Sequence, residues 1–143
     1  MSFIPLYTFT FAKTDAYKKI LAVSKRVSDD QSVRYFIDIR RYYKSKDSDD
    51  YRPSQRGVCM NPEEFRKVLP ALAQGGEEVF EKRDRRLTIK PTNIPNHLNL
   101  ILERLEKDPV SIDLDMDEIL KIIENKNCIV GSMFWIINYE YFE

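Results

Sequence analysis

Polar and apolar positions alternate most regularly in VRYFIDIRRYY (33–43). Tyr35, Ile37 and Ile39 fall on one side of an extended chain, and Arg34, Phe36, Asp38, Arg40 and Tyr42 on the other. A period of two predicts a strand with one face on a core. KKILAVSKRV (18–27) predicts a second strand, with Lys19, Leu21, Val23 and Lys25 on one face and Lys18, Ile20, Ala22, Ser24 and Arg26 on the other. FIPLYTFTFA (3–12) is aromatic and β-branched, which favours an extended segment with Pro5 near its edge. SDDQS (28–32) is a turn, KSKDSDDYRPSQ (44–55) a polar loop and RGVCM (56–60) a short strand.

The period then changes. Asn61 can cap a helix, Pro62 suits its first position, and Glu63 and Glu64 complement its positive end. Phe65, Val68, Leu69 and Leu72 follow at helical spacing until Gly75 and Gly76. Pro70 removes one hydrogen bond and predicts a kink. Further on, RRLTIKP (85–91) predicts a strand, and NHLNLILERLEKD (96–108) an amphipathic helix. DLDMDEILKIIENKN (113–127) predicts a second helix with an acidic start, and CIVGSMFWIINYEYF (128–142) a strand broken at Gly131 and Ser132. No internal repeat or low-complexity tract is legible. The expected class is α+β, with a core over 1–76 and an acidic helical and strand extension over 77–143, packed on the core or on a dimer interface.

Charge sharpens that division. The net charge is zero, but residues 1–76 carry fourteen Lys and Arg against nine Asp and Glu, a net of +5, and 77–143 carry nine against fourteen, a net of −5. A basic half joined to an acidic one fits an anion-binding module with an appended element. The apolar fraction of 43% can fill a core. Cys59 and Cys128 lie in apolar surroundings without metal-ligand spacing or a disulfide framework, so buried free thiols in a reducing compartment are expected. Met1–Ala12 lacks the basic start and apolar run of a leader, and no apolar run approaches the ~20 residues of a spanning helix. The expectation is a soluble intracellular protein with no membrane partner.

The polar face of 33–43 carries Arg34, Phe36, Arg40 and Tyr42 with a single acid, Asp38. Lys19, Lys25 and Arg26 from the neighbouring strand, Lys44 and Lys46 from the loop, and Arg52 and Arg56 beyond it add cations. Cations follow a phosphate backbone and aromatic faces stack on unpaired bases, so the mixture suits single strands better than duplex. Against this, surface strands carry Lys and Arg to discourage aggregation, and strand tyrosines often pack.

Other candidates point elsewhere. Asp113, Asp115 and Asp117 mimic part of a calcium loop, but Glu118 stands where glycine is required, so an acidic helix start is the better reading. His97 is the only histidine and reads as a surface or capping residue, Trp135 as core, and EKRDRR (81–86) as a solvated turn. With no phosphate loop, catalytic triad or zinc site, neither an enzyme nor a cofactor is expected.

FIDIRRYY followed by YRPSQRGVCMNPEEFRKVL resembles the core of the positive cofactor four family, transcriptional coactivators that bind single-stranded DNA. Ile37-Asp38-Ile39-Arg40, Arg52-Pro53, Arg56-Gly57 and Asn61-Pro62-Glu63 carry the match, with Phe65 in place of a helix tryptophan. The likeness covers about residues 18–74. It implies a curved antiparallel four-stranded sheet followed by a helix, a homodimer paired through the helices, single-stranded DNA held by the sheet, transcription-machinery partners and a nuclear location. By the resemblance Arg40 and Arg56 fall at DNA-contacting positions, and Arg34 where the family has lysine. Lys19 and Arg26 match if one insertion is allowed at 28–32, and Tyr43 replaces a tryptophan. Gln55 stands where a basic residue is usual, Ser54 replaces a glycine, and Gln31 lies where the family's preceding hairpin has an aromatic. The expected role is a coactivator or an accessory factor in transcription or replication that binds single-stranded DNA, with RNA as a possible substitute. The alternative is a protein–protein scaffold that keeps the fold without nucleic-acid binding.

Overall fold

The computed structural model describes residues 2–133. Four strands, β1 (Ser2–Lys13), β2 (Tyr17–Val27), β3 (Val33–Lys44) and β4 (Tyr51–Met60), form an antiparallel sheet in chain order and lead into helix α1 (Pro62–Gln74). Four more, β5 (Glu78–Lys82), β6 (Arg85–Pro91), β7 (His97–Arg104) and β8 (Val110–Asp115), form a second sheet in chain order and lead into α2 (Met116–Glu124). Residues 126–133 are helical as well. The class is α+β, as the pattern predicts.

Alternation decides which face of each strand is buried. Leu21 lies opposite Ile39, which lies opposite Val58; Val23 lies opposite Ile37, which lies opposite Met60. All six are buried. In the second sheet Leu87 faces Leu102, Ile89 faces Leu100, and Leu98 faces Leu114. These rows share one core with Phe65, Val68 and Leu72 of α1 and Ile119 and Ile122 of α2. The two helices pack on each other, α1 touching β3, β4 and β6, and α2 touching β8 and β1.

Several expectations change. Residues 96–108 are not a helix but contain β7. Leu98, Ile101, Leu102 and Leu105 fit a helical stripe, while Leu98, Leu100 and Leu102 fit a strand; pairing with β6 and β8 selects the second pattern and leaves Leu105 exposed. His97 therefore opens a strand, with Nε2 3.3 Å from Asp113 Oδ2. The segment 113–127 splits into the end of β8 and α2. Residues 128–133 are helical rather than extended, and 134–142, with Trp135, lie outside the described residues. β4 begins at Tyr51, inside the expected loop, and β5 was not expected. α1 runs through Pro70, which sits on its exposed side, to the left-handed cap at Gly75. Cys128 is exposed rather than buried.

The order ββββα therefore occurs twice. Both helices open with the same reciprocal cap: Asn61 Oδ1 accepts from Glu64 N and Glu64 Oε1 from Asn61 N, as Asp115 Oδ1 accepts from Glu118 N and Glu118 Oε1 from Asp115 N. Each capping glutamate also accepts from a cation on the second strand of the other unit. Arg85 of β6 donates to Glu64 at 3.0 Å, and Lys19 of β2 to Glu118 at 3.0 Å. Each cation further donates to the carbonyl two residues before the cap, Arg85 to Cys59 O at 2.9 Å and Lys19 to Asp113 O at 2.6 Å. Such reciprocity is the mark of a two-fold interface, here inside one chain. The letters conceal it, because Asn and Asp, or Arg and Lys, serve the same roles in strands of different length.

Candidate nucleic-acid interface

The face of the first sheet turned away from the core is built from rungs of the β2–β3 ladder. Arg26 lies opposite Arg34, Ser24 opposite Phe36, Ala22 opposite Asp38, Ile20 opposite Arg40, and Lys18 opposite Tyr42. β4 adds Cys59, Gly57 and Pro53, opposite Asp38, Arg40 and Tyr42 respectively. On these rungs only Gly57 is buried, beneath Arg40. Among the described residues the second unit borders this face through Arg85, Leu102, Arg104, Asp108 and Val110.

Arg40 is the most constrained group on it. Its Nε and Nη2 donate to the two oxygens of Asp38 at 3.0 and 2.9 Å, and Nη1 donates to Ser54 O at 2.7 Å. The side chain lies flat on β4 because position 57 has no Cβ; one built there falls 2.7 Å from Arg40 Cγ and Cζ. Burial disfavours the charge on Arg40, but the hydrogen bond and charge of Asp38 outweigh it and raise its pKa. β4 bulges between its pairings with Arg40 and Tyr42. Ser54 holds the bulge, donating to Arg41 O at 2.6 Å and accepting from Arg56 N at 3.1 Å. The serine that departs from the family pattern thus fixes the backbone that presents Arg56, which is exposed.

Two depressions meet at Arg40. A groove of about 980 Å³ runs between Arg34, Phe36 and Arg40 of the first sheet and Arg85 and Arg104 of the second. A shallow one of about 880 Å³ holds Arg40, Arg41, Tyr43, Gln55 and Arg56. Arg34, Arg40 and Arg56 thus lie along one connected surface. Phe36 packs its ring 5.8 Å from Phe3, and the Arg26 guanidinium lies 5.7 Å from the Phe3 ring. Cys59 lines the larger groove, but burial first, and the charge of Asp38 second, push its thiol up to about 11, which removes it as a nucleophile near neutral pH. Burial, then Asp38, also raises Tyr42.

Other expected residues lie elsewhere. Lys19 belongs to the core side, buried between Asp113 and Glu118, so it cannot meet a strand on the open face. Lys25 has the same parity and lies opposite Tyr35 and Ile4. Tyr43 and Arg52 face each other at the end of the β3–β4 ladder and are exposed. Lys44 sits 3.6 Å from Asp49, and Lys46 is exposed in the following loop. Two cations outside the expected set join them: Arg41, whose guanidinium lies 3.8 Å from the centre of the Tyr17 ring, and Lys18, whose ammonium lies 4.1 Å from that of Tyr51. The alternation that places Arg26 also places Lys18 on the open face. No local signal points to Arg104. Among the described residues no cluster of His, Cys, Asp and Glu could hold a metal ion, and no helix is long and apolar enough to cross a membrane.

The family model of Transcriptional Coactivator p15 (PC4) matches residues 34–71. The matched stretch holds Arg34, Phe36, Arg40, the bulge with Arg56 and most of α1, and agrees with the resemblance carried by FIDIRRYY and its sequel. The family is one of non-enzymatic transcriptional coactivators that bind DNA. No curated protein matches the chain.

Proposed function

We propose that the chain binds single-stranded DNA on the open face of its first sheet and acts as a transcriptional coactivator or an accessory factor in transcription or replication. One observation carries this reading: Arg34, Arg40 and Arg56 line connected depressions on the outward face of the first sheet together with Phe36. Guanidinium groups in such an arrangement neutralise successive phosphates, and the intervening ring stacks on a splayed base. The matched family supports the assignment to transcription. A nuclear location and contacts with the transcription machinery follow from the same reading. The resemblance also implies a homodimer through the helices. Within this chain α1 already packs on α2, so we read the assembly as one chain.

The scaffold reading has its own support. Arg40 is already tied to Asp38, Lys19 is spent in the core, and Gln55 replaces a cation on the bulge. Fluorescence anisotropy with a labelled single-stranded oligonucleotide over a salt series separates the two. Coactivator-type binding gives an affinity that falls steeply with salt and drops strongly in Arg40→Ala/Arg56→Ala. Equal affinity of the wild type and the double variant establishes the scaffold instead. Competition with RNA of the same sequence tests the nucleic acid preferred.

A further inference from the structure

We propose that the second ββββα unit stands in for a partner subunit and completes the single-strand site from across the internal interface, through Arg104. This inference rests on the single-stranded-DNA reading and adds a residue outside the matched family stretch.

The first part follows from the reciprocal contacts. Arg85 seizes the cap of α1, Lys19 the cap of α2, and each helix touches both sheets. The surface that one unit would offer to a second chain is occupied by the other unit. The two units have nevertheless diverged. On the outward side of the second sheet, Arg86 is engaged by Glu81 at 2.6 Å, and His97 and Asp113 are neighbours. Among the described residues, Arg86 on that side thus has its own acid, whereas Arg34 and Arg56 of the first sheet are exposed.

The second part follows from charge within the 980 Å³ groove. Two of its guanidinium groups have carboxylates: Arg40 has Asp38, and Arg85 has Glu64. Arg104 lies opposite Arg85 on the β6–β7 ladder, where two like charges oppose each other. Its Nε is buried without a hydrogen-bond partner, and no ion pair holds it among the described residues. Arg34 stands exposed on the opposite wall. Asp108 is the acid left over at this groove, and it is exposed. Arg104 lines this groove with a second cation and an aromatic ring and has no carboxylate of its own among the described residues, so its guanidinium there calls for an anion of modest size. A phosphodiester whose base lies on Phe36 supplies it.

The test uses the full chain. Light scattering should give the mass of one chain, free and with a single-stranded oligonucleotide, at one strand per chain. Arg104→Gln should weaken binding several-fold and flatten the dependence of log Kd on log salt by about 0.7, the loss of one single-strand phosphate contact. Arg104→Lys should restore most of the slope, and Arg86→Gln on the outward face should change neither quantity. Unchanged affinity and slope in Arg104→Gln, with wild-type binding intact, overturn the inference and leave the proposed function standing. A mass of two chains sharing one strand overturns the stand-in role. A wild type that binds no oligonucleotide overturns both the inference and the reading beneath it.

Discussion

Arg40 lies across Gly57 so closely that a single added carbon at position 57 would come within 2.7 Å of its Cγ and Cζ and 2.9 Å of its Cβ. The neighbour that must give way is not a free chain end. Asp38 and the carbonyl of Ser54 hold the guanidinium, so the clash falls on its anchored stem.

Gly57→Ala should therefore act on both stability and binding. Overpacking of this kind costs about 1–3 kcal/mol, and Arg40 would leave its seat on Asp38. Urea denaturation should show the lost stability, and anisotropy with single-stranded DNA a weaker complex. Stability and affinity both at wild-type levels would mean that Arg40 is free to swing aside.

Lys19 and Arg40 should part company when each is replaced. Lys19→Met leaves Glu118 buried without its cation, a loss on the order of 3–5 kcal/mol in stability. The salt slope of DNA binding should stay unchanged, because Lys19 is not on the open face. Arg40→Ala should reverse the pattern, with the larger effect on the slope. Calorimetry and salt titration on both variants check this.

Acid should find the same interface. Burial raises the Asp113 carboxyl, but the charge and hydrogen bond of Lys19 more than offset it, so its folded pKa lies below the ordinary value near 4. A depressed carboxylate contributes stability above the unfolded pKa and loses it as pH falls through the folded one. Asp113→Asn should therefore cost stability at pH 7 and flatten the acid limb of the unfolding curve below about pH 4. A pH profile parallel to wild type would assign the acid sensitivity to other carboxylates.

The two thiols should differ in reactivity. With its pKa near 11, Cys59 holds about one part in a thousand of thiolate at pH 8, while Cys128 is exposed. Maleimide labelling followed by mass spectrometry of the native chain should modify Cys128 first. Cys59 should catch up only in denaturant, and faster labelling of Cys59 in the native chain would contradict its burial.

Phe36→Leu isolates the aromatic contribution. Loss of one stacked base weakens binding by roughly 1–3 kcal/mol without altering the salt slope, since no cation is removed. A reduced slope would mean that the ring positions a neighbouring arginine rather than a base.

Local chemistry alone dictated much of the first unit. The alternation of 33–43 separates Ile37 and Ile39 from Arg34, Phe36 and Arg40, and Asn61-Pro62-Glu63-Glu64 starts a helix where the structure has one. These features depend on backbone geometry and on groups within four residues, which is the range over which sequence acts directly. Contacts between distant segments decided the rest. Leu98 to Leu105 satisfies two periods at once, and only hydrogen bonding to β6 and β8 chooses between them. Lys19 reads as a surface cation until Glu118, 99 positions later, supplies the carboxylate that allows its burial. Arg104 carries no mark along the chain, because its place opposite Arg34 exists only once the two sheets have met. Charge burial and groove formation depend on partners that the fold brings together, so their outcome belongs to the tertiary structure.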